Sequence, residues 1–173
     1  MNVKIQEALN KQVVIEADSS HFYLSMASWA ETNGFNGMSK FFYQHSEEER
    51  FHMLKLIKFI NERGGKAIIP QTNAPQSSFE SPLNVFELLL KHELIVTDSI
   101  NNIVDVCLKE KDHVTYNFMQ WYIAEQIEEE SLARVILDKL RMIGNDKGGL
   151  YLFDRDMENN VLQANTTSGP AAK

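Results

Sequence analysis

Long stretches of this chain contain no residue that would break a helix, and that narrows its folds more than any other feature. Of 173 residues only eight are Gly and four are Pro. Their placement divides the chain: Gly34 and Gly37, then Gly64-Gly65, then Pro70, Pro75 and Pro82 in a polar stretch, then Gly144. The intervening segments run roughly 28 to 31 residues each, two of them meeting near Lys111-Asp112. Leu, Ile, Phe, Glu and Lys recur in them at steps of three and four, which is the period of a helix and not the alternation of a strand. The sequence therefore predicts an all-α protein with helices over residues 3–33, 36–63, 83–110 and 113–143 and a shorter fifth over 148–162. These form one domain, 1–163, followed by a flexible tail, 164–173.

Lengths set the topology. A helix of about 28 residues is about 42 Å long, at 1.5 Å per residue. The stretch from Gly64 to Pro82, if extended, reaches roughly 60 Å at about 3.3 Å per residue. It can traverse a whole bundle, whereas the short links at Gly34 and Lys111 force antiparallel hairpins. The expected architecture is a four-helix bundle with one long crossover between helices two and three.

The apolar stripes of these helices carry an anomaly. The first reads Ile5, Leu9, Val13, Glu16, Ser20, Tyr23, Ala27, and the second Phe42, His45, Glu49, His52, Leu56, Ile60. The third reads Phe86, Leu90, Glu93, Val96, Ile100, Val104, Cys107, and the fourth Phe118, Tyr122, Gln126, Glu129, Ala133, Ile136, Leu140. Each stripe holds a glutamate on its core face, and Glu16, Glu49, Glu93 and Glu129 all sit near their helix midpoints. In a bundle with aligned ends, mid-helix positions meet in one layer whichever way each helix runs.

One such glutamate could reach solvent along its stem or pair with a base. Chance placement of four in one layer is much rarer than of one, and burying each charge uncompensated costs several kcal/mol or forces protonation. No Lys or Arg occupies the stripes near that layer, so a metal is the natural counter-ion. Carboxylates with one imidazole, His52, suit iron or manganese. In Glu49-x-x-His52 the two side chains project from one face and can supply a bridging carboxylate and a terminal imidazole.

The remaining composition agrees. Seventeen Lys and Arg against twenty-four Asp and Glu give a net charge of −7, which disfavours nucleic acid and anionic membrane as partners. A single cysteine, Cys107, permits no internal disulfide, and no Cys-x-x-Cys pair offers a zinc or rubredoxin-type iron site. The start of the chain, Met1 to Glu7, lacks the apolar run of a leader, and no uncharged apolar stretch approaches a membrane span. A cytoplasmic protein is expected.

Glu16 with Tyr23, Glu48-Glu49-x-x-His52, Glu93, and Gln-Trp-Tyr-x-x-Glu-Gln-x-Glu-Glu-Glu from Gln120 to Glu130 together resemble the bacterial non-haem ferritins, over essentially residues 1 to 163. The resemblance implies a ferritin-like fold and an intrasubunit di-iron ferroxidase centre. In it, Glu16, Glu49 and His52 hold iron at a first site, and Glu49 bridges to a second site completed by Glu93 and Glu129. Glu48, Glu125, Glu128 and Glu129 match a third, outer iron site of that family; a solvated acidic face is the alternative for Glu48, Glu125 and Glu128. Also implied are oxidation of Fe(II) by O2 or H2O2 and storage of Fe(III) as a mineral in a hollow homo-oligomeric shell of twenty-four subunits.

Tyr23, two turns from Glu16, reads as an electron donor or hydrogen-bond partner of the site, or else as a core aromatic, as does Trp121. His45 and Gln126 read as residues that orient ligands. His21, His92 and His113 read as surface residues and Cys107 as a small buried hydrophobe. Several positions depart from related patterns. A second Glu-x-x-His is replaced by Gln126-x-x-Glu129. The acidic entry-channel positions of animal ferritins fall at Tyr116 and Met119, and their interior nucleation glutamates fall partly at Phe51 and Leu54. Arg50 stands where bacterioferritins carry the haem-ligating Met, so no haem is expected. The competing reading is a non-storage di-iron oxidase or peroxidase on the same bundle.

Overall fold

The computed structural model describes residues 1–159; the expected end of the fifth helix at 162 and the tail 164–173 lie outside them. Five helices carry the regular structure: α1 (Val3–Thr32), α2 (Asn36–Glu62), α3 (Pro82–Glu110), α4 (His113–Ile143) and α5 (Lys147–Glu158). No strand occurs among the described residues, and no helix among them is long and apolar enough to cross a membrane.

Side chains define most of the helix starts by accepting backbone N–H groups that have no partner within the helix. Asn2 accepts from Lys4, Ser81 from Asn84 with Pro82 following it, Asp112 from Thr115, and Asp146 from Gly148 and Gly149. Helix α2 differs, because Phe35 at its start offers no such oxygen. Asp154 of α5 substitutes: its carboxylate accepts from Gly37 N at 3.1 Å and from Met38 N at 2.9 Å.

Contacts between helices give the directions. Ser20 meets Ser46 while Asn10 meets Lys66, so α1 and α2 are antiparallel. Lys4 meets Glu110, Ser99 meets Gln12 and Tyr23 meets Glu93, so α1 and α3 are antiparallel as well. Helices α2 and α3 therefore run parallel, joined by the irregular stretch between Glu62 and Pro82. Tyr122 meets His52 and Arg63 meets Asp112, which sets α4 antiparallel to α2.

The core is divided. Toward one end lie Ile5, Leu9, Val13, Leu56, Ile60, Val96, Ile100 and Met119. Toward the other lie Met26, Ala27, Phe42, Phe86, Ile136 and Leu140, with Phe153 and Met157 of α5 packed among them. Between the two apolar halves sits a buried polar layer that contains Glu16, His45, Glu49, His52, Glu93 and Gln126.

Candidate metal centre

Helix spacing and helix direction bring the layer together. Glu49 and His52, three apart on α2, face Glu16 on α1, and these three offer ligand atoms all within 4.8 Å of one another. His52 Nδ1 lies 3.4 Å from Glu49 Oε2 and 4.0 Å from Glu16 Oε2. Tyr122 on α4 donates its hydroxyl to the His52 carbonyl at 2.8 Å, tying the middle of α2 to α4.

Glu93 on α3 is held from two sides. Tyr23 donates to its Oε1 at 2.9 Å, and Gln126 Nε2 donates to its Oε2 at 3.2 Å. On the far side of the layer a second group, His45, Glu48 and Glu129, also brings its ligand atoms within 4.8 Å. His45 Nδ1 is 2.8 Å from Glu48 Oε2 and 3.8 Å from Glu129 Oε1. The His45 ring lies between Phe41 and Tyr23, stacked on the latter at 5.4 Å.

The electrostatics are those of crowded, buried acids. Burial, then the neighbouring Glu49 carboxylate, pushes the Glu16 carboxyl well above its ordinary value, against the smaller pull of His52 and Gln12. Burial, then Glu93, does the same to Glu49. Glu129 is pushed up to about 7, mainly by burial. Burial likewise leads the rise at Tyr23, reinforced by Glu93, Glu129 and Glu49. Glu16 Oε2 is buried with no hydrogen-bond partner among the described residues. An oxygen of that kind would ordinarily be satisfied, and a cation between Glu16, Glu49 and His52 would satisfy it. The donor set, hard oxygens with one imidazole, suits iron.

Comparison with known proteins finds relatives over most of the chain. Residues 6–143 match the family model of the ferritin-like domain. The chain belongs to the ferritin family. A bacterial non-heme ferritin of Campylobacter jejuni is 40% identical over 162 residues, covering 94% of this chain and 97% of that protein. A probable bacterial non-heme ferritin-like protein of Haemophilus influenzae is 41% identical over 159 residues, covering 92% and 96%. Among solved structures, an open pore ferritin from the archaeon Archaeoglobus fulgidus superimposes with a TM-score of 0.90 at 42% identity, covering 91% of this chain and 98% of that one. The all-α bundle with a long crossover and a short fifth helix is thus the ferritin fold.

The residues singled out in the sequence divide into three sets. Glu16, Glu49, His52, Glu93, Gln126 and Tyr23 are buried in one layer. Glu129 borders it with 13% of its side chain exposed, and Glu48 joins through His45 with 55% exposed. Glu125 is half-buried and Glu128 exposed, and neither belongs to the two close groups among the described residues. His21 and His113 are at the surface, and Cys107 is buried. His92 departs from its surface reading: it is partly buried, packs on Phe22, and its Nε2 lies 2.7 Å from Ser19 Oγ. Its i,i+1 position beside a core glutamate gave no hint of this, because α1 supplies the ring's cover.

At the positions where animal ferritins differ, Met119 is wholly buried and Tyr116 half-buried, while Phe51 is exposed. Sequence reasoning missed Gln12, which is fully buried. It donates to Glu16 Oε1 at 2.9 Å and accepts from Ser99 Oγ at 2.6 Å. Its signal was the i,i+4 spacing from Glu16, which puts an amide one turn below a carboxylate on the same face.

Proposed function

We propose that this ferritin oxidises Fe(II) at the buried carboxylate layer and stores the ferric product as a mineral inside a hollow shell of twenty-four copies. The observation that carries the reading is the Glu16, Glu49 and His52 group beside Glu93, buried in the middle of the bundle with raised carboxyl pKa values and an unpartnered oxygen. Iron is the substrate. Glu16, Glu49 and His52 would receive one ion, and Glu49, Glu93 and Glu129 a second, with Glu49 shared.

The chemistry follows from charge. Incoming cations would take the place of the protons that burial favours on Glu16 and Glu49, and the carboxylates favour the more highly charged ferric state. Two ferrous ions side by side give up one electron each. That matches the reduction of O2 with two protons to H2O2, or of H2O2 with two protons to water, so no electron is left over. Tyr23 and Gln126 hold Glu93 in place during the change. The second site has no imidazole, so its ion is bound more weakly and passes on to the mineral. His45, Glu48 and Glu129, with Glu125 and Glu128 farther out, would form an outer station for iron leaving the layer. No haem takes part in this reading, and neither nucleic acid nor a membrane is a partner of the acidic shell.

The test is aerobic addition of Fe(II) followed by sizing. A large shell retaining hundreds of irons supports storage. A small oligomer that keeps two irons per chain after turnover supports the oxidase or peroxidase reading instead.

A further inference from the structure

Four side chains make a directed path from the surface groove between α3 and α4 to the buried Glu93 carboxylate. Arg134 Nη2 donates to Glu130 Oε2 at 2.5 Å. Thr97 Oγ1 donates to Glu130 Oε1 at 2.6 Å. Gln126 Nε2 lies 3.3 Å from Thr97 Oγ1 and 3.2 Å from Glu93 Oε2, with the Glu93 carbonyl also at 3.2 Å. Thr97, Gln126, Glu130 and Arg134 all line the groove.

The order of donors matters. A carboxylate only accepts hydrogen bonds, and Thr has one hydroxyl proton. Once that proton is committed to Glu130, Thr97 can offer Gln126 nothing but a lone pair. The Gln126 amide must then turn its NH2 toward Thr97, and the same NH2 is what reaches Glu93 Oε2. Were the hydroxyl free to rotate, it could donate to the Gln126 carbonyl instead. The flipped amide would set that carbonyl against the Glu93 carboxylate, acceptor against acceptor.

We infer that Thr97, anchored by Glu130, is a positioning residue of the metal centre: together with the Glu93 carbonyl it fixes which end of the Gln126 amide faces the Glu93 carboxylate, and so holds that carboxylate ready for the second ion. This rests on the di-iron reading of the layer and deepens it. It concerns one half of the centre alone, because Glu16, Glu49 and His52 make no contact with Thr97 or Glu130 among the hydrogen bonds of the described residues.

The experiment is anaerobic titration of Fe(II) into the assembled, iron-free protein, followed by calorimetry, for wild type, Thr97→Val, Thr97→Ser and Glu130→Ala. Valine keeps the shape of threonine and removes the hydroxyl, so the Gln126 NH2 loses one of its three acceptors and is left to Glu93 alone. The expected result is two ions per chain in wild type, with the second weakened about tenfold in Thr97→Val and the first within twofold of wild type. Serine restores the second ion. Glu130→Ala, which leaves the hydroxyl free to swing, weakens the same ion by an intermediate factor and keeps the test open if the valine variant folds poorly. The inference is overturned if Thr97→Val binds both ions as wild type does, weakens both alike, or is not rescued by serine. A wild-type chain that binds no pair of ions overturns the di-iron reading first and this inference with it.

Discussion

At Tyr23 a single hydroxyl separates packing from chemistry. The ring is wedged among Phe42, His45 and the apolar half-core, while its oxygen donates to Glu93. Tyr23→Phe keeps the packing and removes one bond to the carboxylate. Rapid-mixing measurements should therefore show Fe(II) oxidation slowed severalfold, with the number of Fe(II) ions bound anaerobically unchanged. Oxidation at the wild-type rate would take Tyr23 out of the reaction. Glu49 gives the opposite kind of expectation. In the iron-free protein its carboxyl is opposed by burial and by Glu93, so Glu49→Ala should leave the melting temperature unchanged or raise it, since a poorly compensated buried acid is replaced by a small apolar group. The same variant should lose Fe(II) binding. A melting temperature lowered by many degrees would mean that the pairing of Glu49 with His52 outweighs the cost of burying its carboxyl.

The residues that sequence periodicity revealed were those whose type contradicts their position. A glutamate on an apolar stripe is conspicuous, and Glu16, Glu49 and Glu93 were legible for that reason. Gln12, Ser46 and His92 were not, because a polar residue at the edge of a stripe looks the same whether water or another helix covers it. Gln12 is covered by Ser99 of α3, and Ser46 exchanges hydrogen bonds with Ser20 across α1 and α2 at 2.8 and 2.9 Å. Both are covered by partners about 26 or more positions away in sequence, so even the i,i+4 spacing of Gln12 from Glu16 does not tell that it is buried.

Among the elements, α5 does more than extend the bundle. The expectation of a short helix after Gly144 came from its length and apolar residues alone, but its attachment to α2 depends on a missing side chain. A Cβ built on Gly37 would stand 1.8 Å from the Asp154 carbonyl oxygen and 2.7 Å from Glu158 N, both backbone atoms that cannot step aside. Glycine thus lets α5 approach the first turn of α2 closely enough for Asp154 to cap it. Gly37→Ala should force α5 away, exposing Phe153 and Met157, which are buried against the far half of the core. Hydrogen exchange should then show lost protection across Leu150 to Met157 with α3 unaffected. Asp154→Ala, which removes only the cap, should be milder, destabilising by about 1 kcal/mol. Equal protection of α5 in Gly37→Ala and wild type would contradict this account of the attachment.

For the whole molecule, the net charge of −7 matters through where its acids are placed. Acids with raised folded-state pKa values hold their protons more tightly folded than unfolded, so their contribution favours the folded state at low pH. It is fully present below the unfolded value and is lost as pH rises through the folded one. Glu129, raised from 4.5 to about 7, alone loses about 3 kcal/mol over that interval, at about 1.4 kcal/mol per pH unit. Glu16 and Glu49 act in the same direction. Glu48 acts in the opposite one, since His45 holds its carboxyl low and its contribution is lost on acidification; it is half-exposed and correspondingly weaker. The iron-free protein should therefore melt at a lower temperature at pH 7.5 than at pH 5.5. On the proposed reading, Fe(II) under anaerobic conditions should reverse the slope, because the carboxylates whose deprotonation destabilises the iron-free layer would be the ligands that bind the cation. Thermal melts across this pH range, with and without Fe(II), measure both slopes. An iron-free melting temperature that rises steadily from pH 5.5 to 7.5 would mean that the buried acids are already neutralised within the fold, and that the layer was not built to wait for a cation.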